Sequence, residues 1–170
     1  MSKTDGLTMQ DAFGLFPKSF ENRPWHGKLW TAESQGRGVM GILAVVAAAV
    51  AAMVFGAIWY SVFAKPWMAV SGVPLDEIGQ PANRKDPMIY VMNAIGMVLV
   101  AGMMRHVFVL SGIDTVAEGA GSGFGIGLFL VVPWLLTNSN FAGRPIKLAV
   151  IDGGFATFGC TLIGTVLTLL

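Results

Sequence analysis

Apolar residues in this chain come in long blocks rather than at strand-like or helical intervals, and charged residues mark the edges of the blocks. No charge lies between Arg37 and Lys65. The stretch Val39 to Phe63 exceeds the roughly 20 apolar residues that a helix needs to cross a bilayer core. It predicts a first transmembrane helix over 39–63. Pro87 to Leu110 predicts a second over 87–110, interrupted only by Arg105 and His106. The charge-free interval between Glu118 and Arg144 accommodates a third over 122–140. A fourth runs over 146–170, with Asp152 as its only acid. Such blocks are too long for single strands and too apolar for surface helices. Backbone groups in lipid must be satisfied within their own segment, which makes helices the default. The expected fold is all-α: a membrane-embedded four-helix bundle over 39–170, preceded by a polar, extended N-terminal tail over 1–38.

The first block begins too far from Met1 for the apolar core of a secretory signal, so it is expected to stay in the mature protein. The tail carries scattered aromatics, Phe13, Phe16, Phe20, Trp25 and Trp30, among glycines and prolines that interrupt regular helix. One short helix near Thr8 to Leu15 fits, with Thr8 as its cap. Three loops follow: about Ala64–Asp86, Ser111–Gly121 and Phe141–Pro145. In the first, Val73 to Ile78 suits a short interfacial helix started by Pro74. Four spans put both termini on one side with the second loop, and the first and third loops on the other. Basic residues near the membrane favour the cytoplasm, but Lys65, Arg84, Lys85, Arg144 and Lys147 on one side balance Lys3, Lys18, Arg23, Lys28 and Arg37 on the other. Proximity to the membrane favours cytoplasmic loops. Exporting a long tail without a signal favours the reverse.

Composition narrows the function. Charged residues make up 12% of the 170, about half the share in a soluble domain, and 54% are apolar. A net charge of +1 gives no electrostatic case for a nucleic-acid partner. The single cysteine, Cys160, excludes an intrachain disulfide. Ser61, Ser71 and Ser111 have no paired histidine and acid in a recognisable frame, so no enzyme is expected. His106 has one histidine companion, His26 in the tail, and their spacing suggests no metal site; no cofactor is expected. The methionines of the second span follow no one-face repeat and read as adaptable packing. The glycine alternation from Gly119 to Gly127 lacks the strand and downstream acid of a dinucleotide fingerprint and reads as the start of a membrane helix.

Small residues every fourth position let membrane helices approach closely. Ala48, Ala52 and Gly56 form such a face in the first span, and Gly119, Gly123 and Gly127 in the third. Gly153 and Thr157 begin another in the fourth, with Gly164 and Thr168 further on. An ionisable group within a span is costly and calls for a partner or a role. Asp152 lies about 7 Å inside the side of the first and third loops. Asn93, Tyr90, Trp59 and Tyr60 fall at reachable depths. Arg105 lies near the other end of its helix, too far for Asp152, and is expected to reach the headgroups or Asp114 and Glu118. Trp59, Tyr60, Trp67, Tyr90 and Trp134 read as an interfacial aromatic belt.

Two segments carry a family resemblance. Gly56-Ala57-Ile58-Trp59-Tyr60 with Phe63-Ala64-Lys65-Pro66-Trp67-Met68 looks like the end of the first helix in a bacterial family of membrane proteins. Phe141-Ala142-Gly143-Arg144-Pro145-Ile146-Lys147-Leu148 with Ile151-Asp152-Gly153-Gly154-Phe155 is similar to the start of its last helix. The family is domain of unknown function 1761, and the resemblance covers about residues 40–170. It implies a small four-helix integral membrane protein with no assigned activity. The tail departs from a pattern in which the chain starts almost at the first helix. The expectation is an accessory, non-enzymatic subunit of a larger complex in the bacterial inner membrane, for example respiratory or photosynthetic, bound through the tail aromatics and small-residue faces. The competing expectation is a small-molecule or proton carrier with an intramembrane site around Asp152 and Asn93.

Overall fold

The computed structural model describes residues 32–170, with side chains from residue 39. Five α-helices follow in order: α1 (Ala32–Val62), α2 (Ala64–Ser71), α3 (Pro87–Ser111), α4 (Val116–Phe141) and α5 (Ile146–Leu169). A single 3-10 turn, Ala82–Lys85, precedes α3, and the described residues contain no named strand. Four of the helices are long and apolar enough to cross a bilayer: Val39–Val62 within α1, and α3, α4 and α5. Their outward faces carry large apolar side chains, such as Leu99, Phe129 and Trp134, that are about two-thirds or more exposed. Apolar surface on that scale suits lipid rather than water. The chain is an all-α, multi-pass membrane protein.

Two boundaries differ from the expected ones. The third span starts at Val116 rather than near residue 122, because Thr115-Val116-Ala117-Glu118 is a capping box. The Thr115 hydroxyl accepts from the Glu118 amide, and the Glu118 carboxylate accepts from the Thr115 amide, each at 3.3 Å. Two orphan donors at the helix start are satisfied reciprocally, so the alternating glycines lie inside α4 rather than before it. In the first loop, the helix is α2 rather than 73–78. Gly72 terminates α2 in the left-handed region (φ 71°), where only glycine sits without strain. Leu75 and Pro81 then close a small loop that the Arg84–Asp76 ion pair braces at 3.2 Å.

α4 widens to π geometry over Ile126–Val131. Pro133 lies just beyond. It supplies no amide hydrogen, and its ring crowds the carbonyl four residues back, at Phe129. Lengthening the local hydrogen bonds accommodates the ring without breaking the span.

α4 and α5 form an antiparallel pair whose backbones touch. A Cβ at Gly119 would lie 2.5 Å from the Gly164 carbonyl, and one at Gly127 2.5 Å from the Thr157 Cα. Gly123 meets Cys160 in the same way. The hydroxyls of Thr157, Thr161 and Thr165 each donate to the carbonyl four residues earlier at 2.8 Å, which removes polar hydrogens from lipid. The apolar core joins Ala44, Ala48 and Ala52 of α1 to Ala101, Met104 and Phe108 of α3 and Cys160, Ile163 and Leu167 of α5. It occupies the half of the bundle away from the first and third loops. Burial on α3 is confined to that half, and from Met88 to Asn93 every residue is exposed.

Candidate functional site

On the side of the first and third loops, α1 and α5 interlock through rings and glycines. The Phe155 ring lies over Gly56, where an added Cβ would come within 2.9 Å of Cε2. The Trp59 ring lies over Gly154, where an added Cβ would come within 2.6 Å of Cζ2. Each helix thus lends a ring to a gap that the other leaves by lacking a side chain. Phe55 stacks on Phe155 at 6.1 Å between centroids, and Tyr60 packs against Phe155 at 5.3 Å.

Polar groups run through this interlock. The Trp59 indole donates to the Ile151 carbonyl at 3.1 Å. The Tyr60 hydroxyl donates to Asp152 Oδ1 at 3.0 Å. The Trp67 indole donates to the same oxygen at 3.1 Å and meets Tyr60 edge to face at 5.8 Å. Trp67 arrives because α2 folds back from the end of α1 instead of running out along the surface. The half-buried Asp152 therefore ties α1, α2 and α5 together about two turns inside the start of α5. A single carboxylate oxygen with two aromatic donors is a structural acceptor in form. Neither donor is a base, and no group of three or more metal-ligating side chains of the His, Cys, Asp and Glu type gathers among the described residues.

The structure corrects several expected neighbours. Of the four partners considered for Asp152, Tyr60 bonds to it. Trp59 bonds one residue away, at Ile151. Tyr90 donates instead to the Arg84 carbonyl at 2.8 Å. Asn93 is exposed on α3 and is not joined to Asp152: matching depth does not bring two helices together. The aromatic belt also divides. Tyr90 and Trp134 face outward, whereas Trp59, Tyr60 and Trp67 turn into the interlock. Ala48, Ala52 and Gly56 are buried, as are Gly119, Gly123 and Gly127. Gly153, Thr157, Gly164 and Thr168 of α5 all face α4, against Val132, Gly127 and Gly119, and Cys160 joins them against Gly123. Arg105 turns toward Gly41 of α1, and the Glu118 carboxylate is held by Thr115. His106 is exposed; its companion His26, and Phe13, Phe16, Phe20, Trp25 and Trp30, lie outside the described residues.

Trp67 and Gly154 were legible only in part. Gly72 marks the end of a helix that would carry Trp67 back over the bundle, and Gly154 stands beside Asp152 as a gap with no stated occupant. The two segments that carry the family resemblance are the two halves of this interlock. The family model described as a protein of unknown function (DUF1761) matches residues 43–168. No curated protein and no solved structure matches the chain.

Proposed function

The chain belongs to this family of proteins of unknown function, and from that premise we propose that it is a non-catalytic subunit that assembles with a larger complex in the bacterial inner membrane. The observation that carries this reading is the first half of α3. Its residues from Met88 to Asn93 are exposed all round, and Asn93 holds an amide in the apolar span about 9 Å beyond Pro87. A polar side chain on an otherwise apolar membrane helix associates with another helix through hydrogen bonds. The occupant is a transmembrane helix of a partner subunit, with Asn93 at the contact. The tail aromatics Phe13, Phe16, Phe20, Trp25 and Trp30 extend that contact beyond the membrane.

The test is site-specific photo-crosslinking in native membranes. A photoreactive side chain at Ile89, one turn from Asn93 on the same exposed face of α3, is expected to give one discrete heteromeric product, which Asn93→Leu weakens several-fold. The same group at Phe129, on the outward face of α4, gives none. A product of twice the chain mass would make the occupant a second copy and replace this reading. Lipid adducts alone from Ile89 would remove it.

A carrier built around Asp152 and Asn93 would need both side chains in one pocket. Their separation favours the subunit.

A further inference from the structure

Arg105 lies beside α1 at the level of Gly41, where a Cβ would come within 2.7 Å of its guanidinium. Gly41 is only two residues inside the apolar part of α1, which begins at Val39. The guanidinium therefore reaches the headgroup level although the Arg105 Cα lies about six residues, or roughly 9 Å, inside the end of α3. This is a snorkelling arginine, and the missing side chain at Gly41 makes its route. Beside and below it, α1 and α3 leave a groove of about 640 Å³ lined by Ile42, Val45 and Val46 on one side, with Val109 at the level of the guanidinium and Val98 deeper on the other. Its size falls within the usual range for small-molecule sites, about 300–1,000 Å³. A cation at the mouth of an apolar channel that opens to the bilayer has the polarity of one membrane component: a phosphate above an acyl chain.

We propose that this groove is a binding site for an anionic phospholipid, its acyl chain along Val45, Val46 and Val98 and its phosphate on the Arg105 guanidinium. The guanidinium has five donors in a fixed fork that matches phosphate oxygens bidentately. The site is independent of the partner surface assigned above: Asn93 and Arg105 are twelve positions apart on α3, which places them about a third of a turn from each other around the helix.

The test is native mass spectrometry of the full chain, titrated with phosphatidylglycerol and phosphatidylcholine of identical acyl chains. The unmodified chain is expected to prefer phosphatidylglycerol about fivefold, the scale of one basic residue near an anionic surface. Arg105→Lys retains most of that preference, and Arg105→Gln lowers it below about twofold. Gly41→Leu obstructs the groove and lowers binding of both lipids. Arg144→Gln, in the α4–α5 turn, leaves the preference unchanged. Glycerol phosphate without acyl chains does not compete. An unchanged preference in Arg105→Gln would overturn the proposal, as would equal binding of the two lipids, an Arg144→Gln loss as large as that of Arg105→Gln, or competition by glycerol phosphate. A dimer mass abolished by Gly41→Leu would assign the groove to a second copy instead.

Discussion

Replacing Asp152 by leucine would leave the Tyr60 hydroxyl and the Trp67 indole without their acceptor. Hydrogen bonds between membrane helices average about 0.6 kcal/mol and reach about 1.7, so losing both is expected to cost about 1–3 kcal/mol. Asp152→Asn keeps a carbonyl oxygen in place and is expected to cost less than half as much. Unfolding in mixed micelles of mild detergent and dodecyl sulfate measures both. A leucine variant as stable as the unmodified chain would mean that ring packing alone holds this end of the bundle. The sequence made one of the two donors readable. Depth along a helix follows from counting residues at 1.5 Å each, and by that count Tyr60 stands a few ångströms nearer the surface than Asp152, within reach of its ring and hydroxyl. Trp67 escapes the count because it lies beyond the span, on a helix whose reversal depends on its packing against α5. Asn93 passes the count and fails in space, since depth contains no information about the gap between helices.

At the scale of elements, the contact between α4 and α5 rests on the absence of side chains at Gly119, Gly123 and Gly127. An alanine at Gly123 would drive its methyl into the backbone at Cys160 and Thr161, which cannot yield as the end of a flexible side chain does. Overpacking of this kind costs about 1–3 kcal/mol, and Gly123→Ala is expected to fall there. Gly125, two positions on, meets no neighbouring atom. Gly125→Ala is expected to be neutral or to stabilise by about 0.4–1 kcal/mol, through a less flexible unfolded chain. Equal effects at the two positions, read by the same unfolding assay, would contradict the close approach. The four-residue spacing of these glycines is visible in the sequence, and the face it names is the buried one. The facing strip of Gly153, Thr157, Gly164 and Thr168 on α5 is legible by the same spacing. Cys160, which meets Gly123, is the member that a search for glycine and threonine passes over. The start of α4 is less legible. Hydropathy averages over Gly-rich turns, whereas the helix is started by two local hydrogen bonds between Thr115 and Glu118.

At the scale of the whole molecule, four spans place Ser71 and Ala142 on one side of the membrane and Thr115 on the other. Single cysteines at these positions, in a chain whose buried Cys160 is replaced by alanine, are expected to label from one side for Ser71 and Ala142 and from the opposite side for Thr115. Matched access of Ser71 and Thr115 would exclude the arrangement. The contact of Trp67 with Asp152 already requires the first loop to sit beside the start of α5, as the count of apolar blocks implied. That contact and its neighbours also bear on how the protein is made. Trp59 and Tyr60 find their partners 92 residues later in the chain. At about 5–20 residues per second, Ile151 and Asp152 are synthesised roughly 5–20 seconds after Trp59 and Tyr60, and the first span enters the membrane within that interval. During that interval its indole and hydroxyl have only water, headgroups or the insertion machinery to bond to. A ribosome stalled before α5 would therefore hold a chain whose spans have crossed the membrane but whose first helix is not yet fastened, and that intermediate is where cellular quality control would have its longest opportunity to act.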